Sequence, residues 1–129
     1  IPELISACDA AFLCFINSPI FEMTIPAKLQ SYMACGIPII ASAGGEVVKI
    51  INEANAGICS PAGDVEKLAE IITRLSKMTK EQLKQLGVNA REYYDKNFNK
   101  NALLNRIDKY FEVKQPSKND RAKEGKVYV

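Results

Sequence analysis

The sequence predicts an α/β fold in which a parallel β-sheet is followed by helices at the carboxyl end. Three observations support this prediction: short apolar runs of strand length, helix-forming segments between those runs, and helical periodicity alone after residue 60. Hydrophobic residues make up 47% and charged residues 25% of the 129 residues, which is typical of one globular domain. We place this domain at residues 1–113 and a charged, flexible tail at residues 114–129.

The apolar runs predict three strands. Residues 9–15 and 37–42 are continuous apolar runs, as expected for parallel strands that are covered on both faces. Residues 57–60 form a third, weaker run. Because parallel strands need crossover connections, the segments between these runs should be helices and the arrangement should be right-handed.

The intervening segments carry helix signals. Residues 26–35 should form a helix, because Pro26 stands at its start and Gly36 follows its end. Residues 44–54 place four aliphatic side chains for a buried helical face, which makes a second strand-helix-strand unit.

Three further helices are expected after the third strand. Asp64 can cap the first of them, and Thr79 with Gln82 forms a capping-box pattern at the start of the second. Asn99 could start the last helix.

Charge and residue content exclude some chemistry. Residues 1–112 carry 12 Lys and Arg against 13 Asp and Glu, a balance of −1, whereas residues 113–129 carry 5 against 2. A body at −1 lacks the clustered basic face that nucleic acid requires, so no nucleic-acid partner is expected. The chain has no histidine, which removes the commonest general base and the commonest metal ligand.

The cysteines and the hydropathy pattern indicate the cellular compartment of the protein. The four cysteines have no C-x-x-C spacing and lie among apolar or small residues, so we expect buried, reduced thiols: Cys8, Cys14, Cys35 and Cys59. No apolar run approaches the ~20 residues of a membrane span, and no signal peptide is evident. We expect a cytoplasmic protein.

Two places could bind an anionic ligand, because ligands of open parallel sheets bind beyond the carboxyl ends of the strands. The loop after the first strand leads to Pro26, where the amides of Ala27 and Lys28 and the Lys28 ammonium group could hold a phosphate. The second place is Gly44–Gly45, where glycines permit close backbone approach. Alternatively, Lys28 is only a solvated surface residue and the two glycines only form a turn.

One continuous segment distinguishes these alternatives: "TIPAKLQSYMACGIPIIASAGGEVVKIINEANAGICSPAGD". It resembles the C-terminal Rossmann-like domain of group 1 (family 4) glycosyltransferases, above all the bacterial branch that builds capsule, colanic-acid and O-antigen polysaccharides. Twelve residues match the motifs of that branch in order: Pro26, Lys28, Tyr32, Met33, Ala34, Gly36, Pro38, Gly45, Glu46, Glu53, Ala54 and Gly57. The resemblance covers about three-quarters of the chain and implies a truncated C-terminal half of the two-domain GT-B fold.

The resemblance implies a transferase that uses a nucleoside-diphosphate sugar, with a uridine diphosphate sugar as the expected donor and no cofactor. The family is usually metal-independent, so the resemblance also implies no metal site, with the helix dipole and a cation in place of a metal ion. The diphosphate would lie over the helix that starts at Pro26, and Lys28 would stabilise the leaving diphosphate as a catalytic residue. The implied donor-binding residues are Pro26, Ala27, Lys28, Ser31, Gly44 and Gly45.

The sequence departs from the family pattern at two glutamates. The broad family has a ribose-binding Glu where this chain has Ser31, and a serine replaces a charge-assisted hydrogen bond with a neutral one. The other family Glu falls on Met23, one position after Glu22. Glu22 could serve the donor sugar as the second catalytic residue through a shift of its loop, or be a solvated surface residue.

The family's missing N-terminal domain would supply the acceptor site, so the chain alone should transfer no sugar. An intact enzyme acting on a polysaccharide or lipid-linked acceptor would associate peripherally with the inner face of the membrane. A sheet without its preceding strands should also self-associate through its edge. Two alternatives stay open: a non-catalytic nucleotide-sugar-binding or assembly module of the same fold, and a relative of sugar-nucleotide epimerases.

Overall fold

The computed structural model describes residues 2–114, and within them the chain forms two compact units, one ending at Phe98 and one beginning at Asn99. The first unit contains a three-stranded parallel sheet with helices, which confirms the predicted α/β architecture. The predicted tail at 115–129 lies outside the described residues, and Lys114 belongs to a helix.

The elements follow one another in the predicted order, with two additional short helices. They are α1 (Pro2–Ser6), β1 (Ala11–Cys14), α2 (Pro19–Glu22), α3 (Ala27–Ala34), β2 (Ile39–Ser42), α4 (Gly45–Ala54), β3 (Gly57–Ser60), α5 (Val65–Ser76), α6 (Lys80–Asn97) and α7 (Lys100–Lys114). The sheet order is β1-β2-β3, with Ala11 opposite Ile39 and Ile39 opposite Gly57.

The central strand has the burial that its continuous apolar run predicts. All four residues of β2 are buried. Ile39 and Ala41 face a large core that includes Leu29, Met33 and Ile51. The opposite face of β2 packs Ile40 against Ile71 and Leu75 of α5.

The expectation that both faces of the first strand are covered is wrong. Along β1, Ala11 and Leu13 are buried, whereas Phe12 and Cys14 are exposed. Helix α5 covers the β2–β3 part of that face, and within the described residues β1 has a strand neighbour on one side only.

The predicted helix starts are confirmed at three positions. Pro26 is the N-cap of α3, and the Asp64 side chain accepts a 2.8 Å hydrogen bond from the Lys67 amide at the start of α5. Thr79 and Gln82 exchange the two bonds of a capping box at 3.2 and 2.9 Å. The caps at Asp64 and Thr79 form because a carboxylate or a hydroxyl oxygen accepts from the first helical amides, which lack intrahelical acceptors.

The expectation of buried thiols is wrong for two cysteines. Cys8 and Cys14 are exposed, and Cys35 and Cys59 are partly buried. Burial raises the pKa of the Cys59 thiol to about 11, so this thiol is protonated at neutral pH.

Within residues 2–114, no helix has both the length and the apolarity needed to cross a membrane.

Candidate functional site

The start of α3 is an uncapped helix N-terminus. Pro26 occupies the N-cap in an extended conformation, with φ −73° and ψ 144°, and no side chain caps the helix. Its carbonyl oxygen accepts a 3.1 Å hydrogen bond from the Leu29 amide. The amides of Ala27 and Lys28 precede the first intrahelical bond, so they can donate to a ligand.

Lys28 contributes a cation to this helix start. The residue is exposed, and within residues 2–114 its ammonium group forms no ion pair. A helical side chain leans toward the amino end of its own helix, so the ammonium group can reach the space in front of the Ala27 amide. Two amides, a helix dipole and a cation together favour a polyanion such as a diphosphate.

Ser31 lies one turn further along α3, on the exposed surface. Its hydroxyl donates a 3.0 Å hydrogen bond to the main-chain oxygen of Ala27. The Ser31 oxygen can still accept a hydrogen bond, whereas its proton is already used within the helix. A ribose hydroxyl could therefore bind Ser31 only as a donor.

Glu22 and the two glycines come together, which the sequence did not predict. The segment around Glu22, expected to be a loop, contains the short helix α2, and Glu22 is its last residue. The Glu22 backbone lies so close to Gly45 that a Cβ there would overlap the Glu22 main-chain oxygen. A Cβ on Gly44 would lie 3.4 Å from Oε1 of Glu22. The side chain of Glu22 thus lies at the amino end of α4.

The two groups of candidate residues occupy the same end of the sheet. α3 follows the loop that leaves β1, and α4 begins directly after β2, whose carboxyl end is Ser42. β1 and β2 are parallel neighbours, so their carboxyl ends meet at one edge. Pro26, Ala27, Lys28 and Ser31 form one group, and Glu22, Gly44 and Gly45 form the other.

A cavity of about 520 Å³ adjoins the amino end of α4 and adds residues that sequence reasoning missed. Lys49 and Asn52 line it together with Gly44 and Gly45. The sequence contained one signal for these two residues. Lys49 and Asn52 lie four and seven positions after Gly45, and residues at this spacing share one face of a helix. Lys49 also pairs with Glu46 at 3.7 Å.

Ser60, at the carboxyl end of β3, borders the same cavity. Within residues 2–114 its buried hydroxyl has no hydrogen-bond partner. A buried hydroxyl without a hydrogen-bond partner lowers stability by about 1–3 kcal/mol. Ser60 is thus a further polar group at this end of the sheet, and sequence reasoning missed it.

A second cavity, of about 530 Å³, lies at the other end of the strands. Asp9 and Pro38, which precede β1 and β2, line it together with Lys80, Lys84 and Arg91. Arg91 is already engaged with Asp95 and with the Ala34 main-chain oxygen. Because ligands of open parallel sheets bind at the carboxyl ends, this cavity is the weaker candidate for a donor site.

Within residues 2–114, no three cysteine or carboxylate side chains are close enough to hold a metal ion.

Comparison with known proteins identifies the family. Residues 1–93 match the family described as Glycosyl transferases group 1, so the chain belongs to the group 1 glycosyltransferases. No curated protein sequence matches the chain. Among solved structures, the chain is similar to sucrose-phosphate synthase from Thermosynechococcus elongatus, with 28% identity and a TM-score of 0.60.

The similarity to the synthase covers 69% of this chain but 22% of the synthase chain. Together with the three-stranded parallel sheet, it agrees with the fold class predicted from the sequence, a truncated Rossmann-like half of the GT-B fold. The family also agrees with the predicted resemblance to group 1 glycosyltransferases.

Proposed function

We propose that this chain is the donor-binding part of a glycosyltransferase that moves a sugar from a nucleoside-diphosphate sugar to a polysaccharide or lipid-linked acceptor. The observation that carries the proposal is the uncapped start of α3, where the Ala27 and Lys28 amides are exposed together with an ammonium group that has no ion pair within residues 2–114. Membership of the group 1 glycosyltransferases supports a phosphate-bearing sugar donor as the ligand.

In this proposal Lys28 and the dipole of α3 stabilise negative charge on the diphosphate. As the bond between the sugar and the diphosphate breaks, negative charge grows on the leaving diphosphate. The Lys28 ammonium group and the two amides stabilise that charge, and Glu22 contacts hydroxyls of the donor sugar. The donor is a uridine diphosphate sugar, and the rest of the enzyme supplies the acceptor side.

The polysaccharide class of the acceptor rests on the motif resemblance to bacterial capsule, colanic-acid and O-antigen enzymes. An enzyme with a lipid-linked acceptor would work in the cytoplasm as a peripheral protein at the inner face of the membrane. Within the segment that carries the family motifs, we identify no residue that would bind the acceptor.

The proposal is tested by ¹H–¹⁵N spectra of the chain during titration with uridine diphosphate, and separately with uridine. The diphosphate should shift the Ala27 and Lys28 amide signals with a saturable dependence, because those amides donate to phosphate oxygens. Uridine lacks the phosphates and should leave these two signals in place. If the diphosphate moves neither amide, the donor-binding function is wrong.

A non-catalytic nucleotide-sugar-binding module is the second candidate, and one observation favours it. The Ser31 proton is donated to the Ala27 main-chain oxygen, at a position where the family has a charged ribose ligand. Weak donor binding without transfer, in an enzyme with its acceptor half present, would support this candidate.

A further inference from the structure

Gly45 is a glycine for two geometric reasons that involve no ligand. Its φ is +61°, in the left-handed region that residues with a Cβ rarely adopt. A Cβ on this residue would also overlap the main-chain oxygen, carbonyl carbon and Cα of Glu22. Only a residue without a side chain lets α2 lie this close to the start of α4.

The same turn places the carboxylate of Glu22. A Cβ added to Gly44 would lie 3.4 and 3.5 Å from Oε1 and Cγ of Glu22, which is an ordinary van der Waals distance. Gly44 has an extended backbone, with φ −129°, which any residue can adopt. The backbone contact at Gly45 therefore sets where α2 ends, and a side chain added at Gly44 would border the Glu22 carboxylate.

Aromatic packing adds a second contact to α2. The rings of Phe21 and Phe15 have centroids 5.6 Å apart, so the residue before Glu22 is fixed against the end of β1. The contacts with Gly45 and Phe15 therefore hold the α2 backbone from which the Glu22 side chain extends.

The geometry points to Gly45 as the residue that positions Glu22 for the donor sugar, whereas the family resemblance implies that Gly45 itself contacts the donor. This inference rests on the proposed role of Glu22. It predicts that a side chain at position 45 selectively weakens recognition of the sugar, because Lys28 and the α3 amides, which hold the diphosphate, are on another helix.

The experiment compares Gly45→Ala, Glu22→Ala and their double variant by calorimetric titration with uridine diphosphate glucose and with uridine diphosphate. Each single variant should lose about tenfold in affinity for the sugar nucleotide, as expected for one lost charge-assisted hydrogen bond. Affinity for uridine diphosphate should stay within about twofold, since mutation of a group that does not touch the ligand changes little. The double variant should be no weaker than either single variant, because both remove the same contact.

Gly63→Ala is the matched control. Gly63 also has a left-handed backbone, with φ +81°, but a Cβ there would meet no atom within 4 Å. This control adds the strain of a left-handed residue without a collision, and it should leave both affinities unchanged.

Gly44→Val tests the same inference if Gly45→Ala does not fold. The extended backbone at Gly44 accepts a β-branched residue, and its methyl groups would displace the Glu22 carboxylate without moving α2. This variant should lose more affinity for the sugar nucleotide than for uridine diphosphate, because only the sugar nucleotide carries the sugar that Glu22 contacts.

A spectroscopic measurement separates this inference from the donor-binding proposal. In ¹H–¹⁵N spectra, Gly45→Ala should move the Phe21 and Glu22 signals and Gly63→Ala should not, whether or not the chain binds a nucleotide. Unmoved signals would overturn the positioning role. An equal loss of affinity for both ligands in Gly45→Ala would also overturn it, because Gly45 would then act on the diphosphate. Failure of the wild type to bind either ligand, with the signals moved, would contradict the donor-binding proposal alone.

Discussion

The Arg91 guanidinium, on α6, donates a 2.6 Å hydrogen bond to the main-chain oxygen of Ala34, the last residue of α3. It also donates to Asp95 at 2.9 Å and lies 5.7 Å from the centroid of the Tyr94 ring. The last carbonyls of a helix lack intrahelical donors, so Arg91 fixes the carboxyl end of the helix whose amino end is the candidate phosphate site.

Arg91→Ala should lower the free energy of unfolding by about 1 kcal/mol, because the Ala34 carbonyl loses its donor. Asp95→Ala should cost less, since exposed ion pairs contribute little. Urea unfolding of both variants measures the two effects. An Asp95→Ala variant as unstable as Arg91→Ala would show that the ion pair matters and the carbonyl contact does not.

Gly87→Ala should destabilise the protein by about 1–3 kcal/mol, the usual cost of an overpacked contact. Gly87 is buried in α6, and a Cβ there would overlap the Gly36 main-chain oxygen after α3. The sign of the stability change is diagnostic, because Ala in a helix interior is normally more stabilising than Gly by about 1 kcal/mol. Thermal unfolding against Lys84→Ala, an exposed control in the same helix, tests it. A stabilised Gly87→Ala variant would show that α6 does not pack this closely on α3.

Elements with a local cause could be predicted from the sequence, whereas features with a tertiary cause could not. Asp64, Thr79 and Pro26 mark helix starts, because a cap needs only its neighbours within three residues. β2 was predicted as a buried strand because its run is apolar throughout. Cys14 was wrongly predicted to be buried, because its exposure depends on which elements cover β1. The sequence pattern of a strand does not contain that information.

The candidate site shows the same division. Pro26 and Lys28 could be proposed from the sequence because a helix start and a charge are adjacent there, and the structure confirms the helix start. The contact between Glu22 and Gly45 joins residues 23 positions apart, and neither residue carries a local signal of the other. Glycine at position 45 is explained by a tertiary approach of backbone to backbone, which the sequence could suggest only as a generic close contact.

Ser31→Glu should tighten binding of uridine diphosphate by about tenfold if the ribose lies beside this turn of α3, because a charge-assisted hydrogen bond replaces a neutral one. Inorganic pyrophosphate has no ribose, so its affinity should not improve. Calorimetric titration with both ligands tests the prediction. Weaker binding of uridine diphosphate by Ser31→Glu would show that the ribose lies elsewhere.

Phe12→Lys should reduce self-association of the chain. The amides of Ala11 and Phe15 donate to the Pro38 and Ser42 oxygens, so the main-chain groups of Phe12 point to the edge of β1 that has no strand neighbour within residues 2–114. The Phe12 side chain is 48% exposed beside that edge, and a lysine on an edge strand opposes pairing.

Light scattering over a micromolar concentration range measures this effect. The wild-type mass should rise with concentration, and that of Phe12→Lys should rise less. Ile72→Lys removes an apolar side chain of similar exposure, 46%, from α5 and should behave like the wild type. A wild-type chain that stays monomeric throughout would contradict the prediction.

The central claim is that Lys28 and the start of α3 hold the donor diphosphate, and Lys28→Ala tests it most directly. Calorimetric titration with uridine diphosphate should show binding weaker by about 1–3 kcal/mol, the value of a hydrogen bond to a charged group. Lys84→Ala removes the same charge from α6, beside the cavity at the other end of the strands, and should bind like the wild type. If Lys28→Ala binds as tightly as the wild type, or if Lys84→Ala is weakened equally, then Lys28 does not hold the diphosphate.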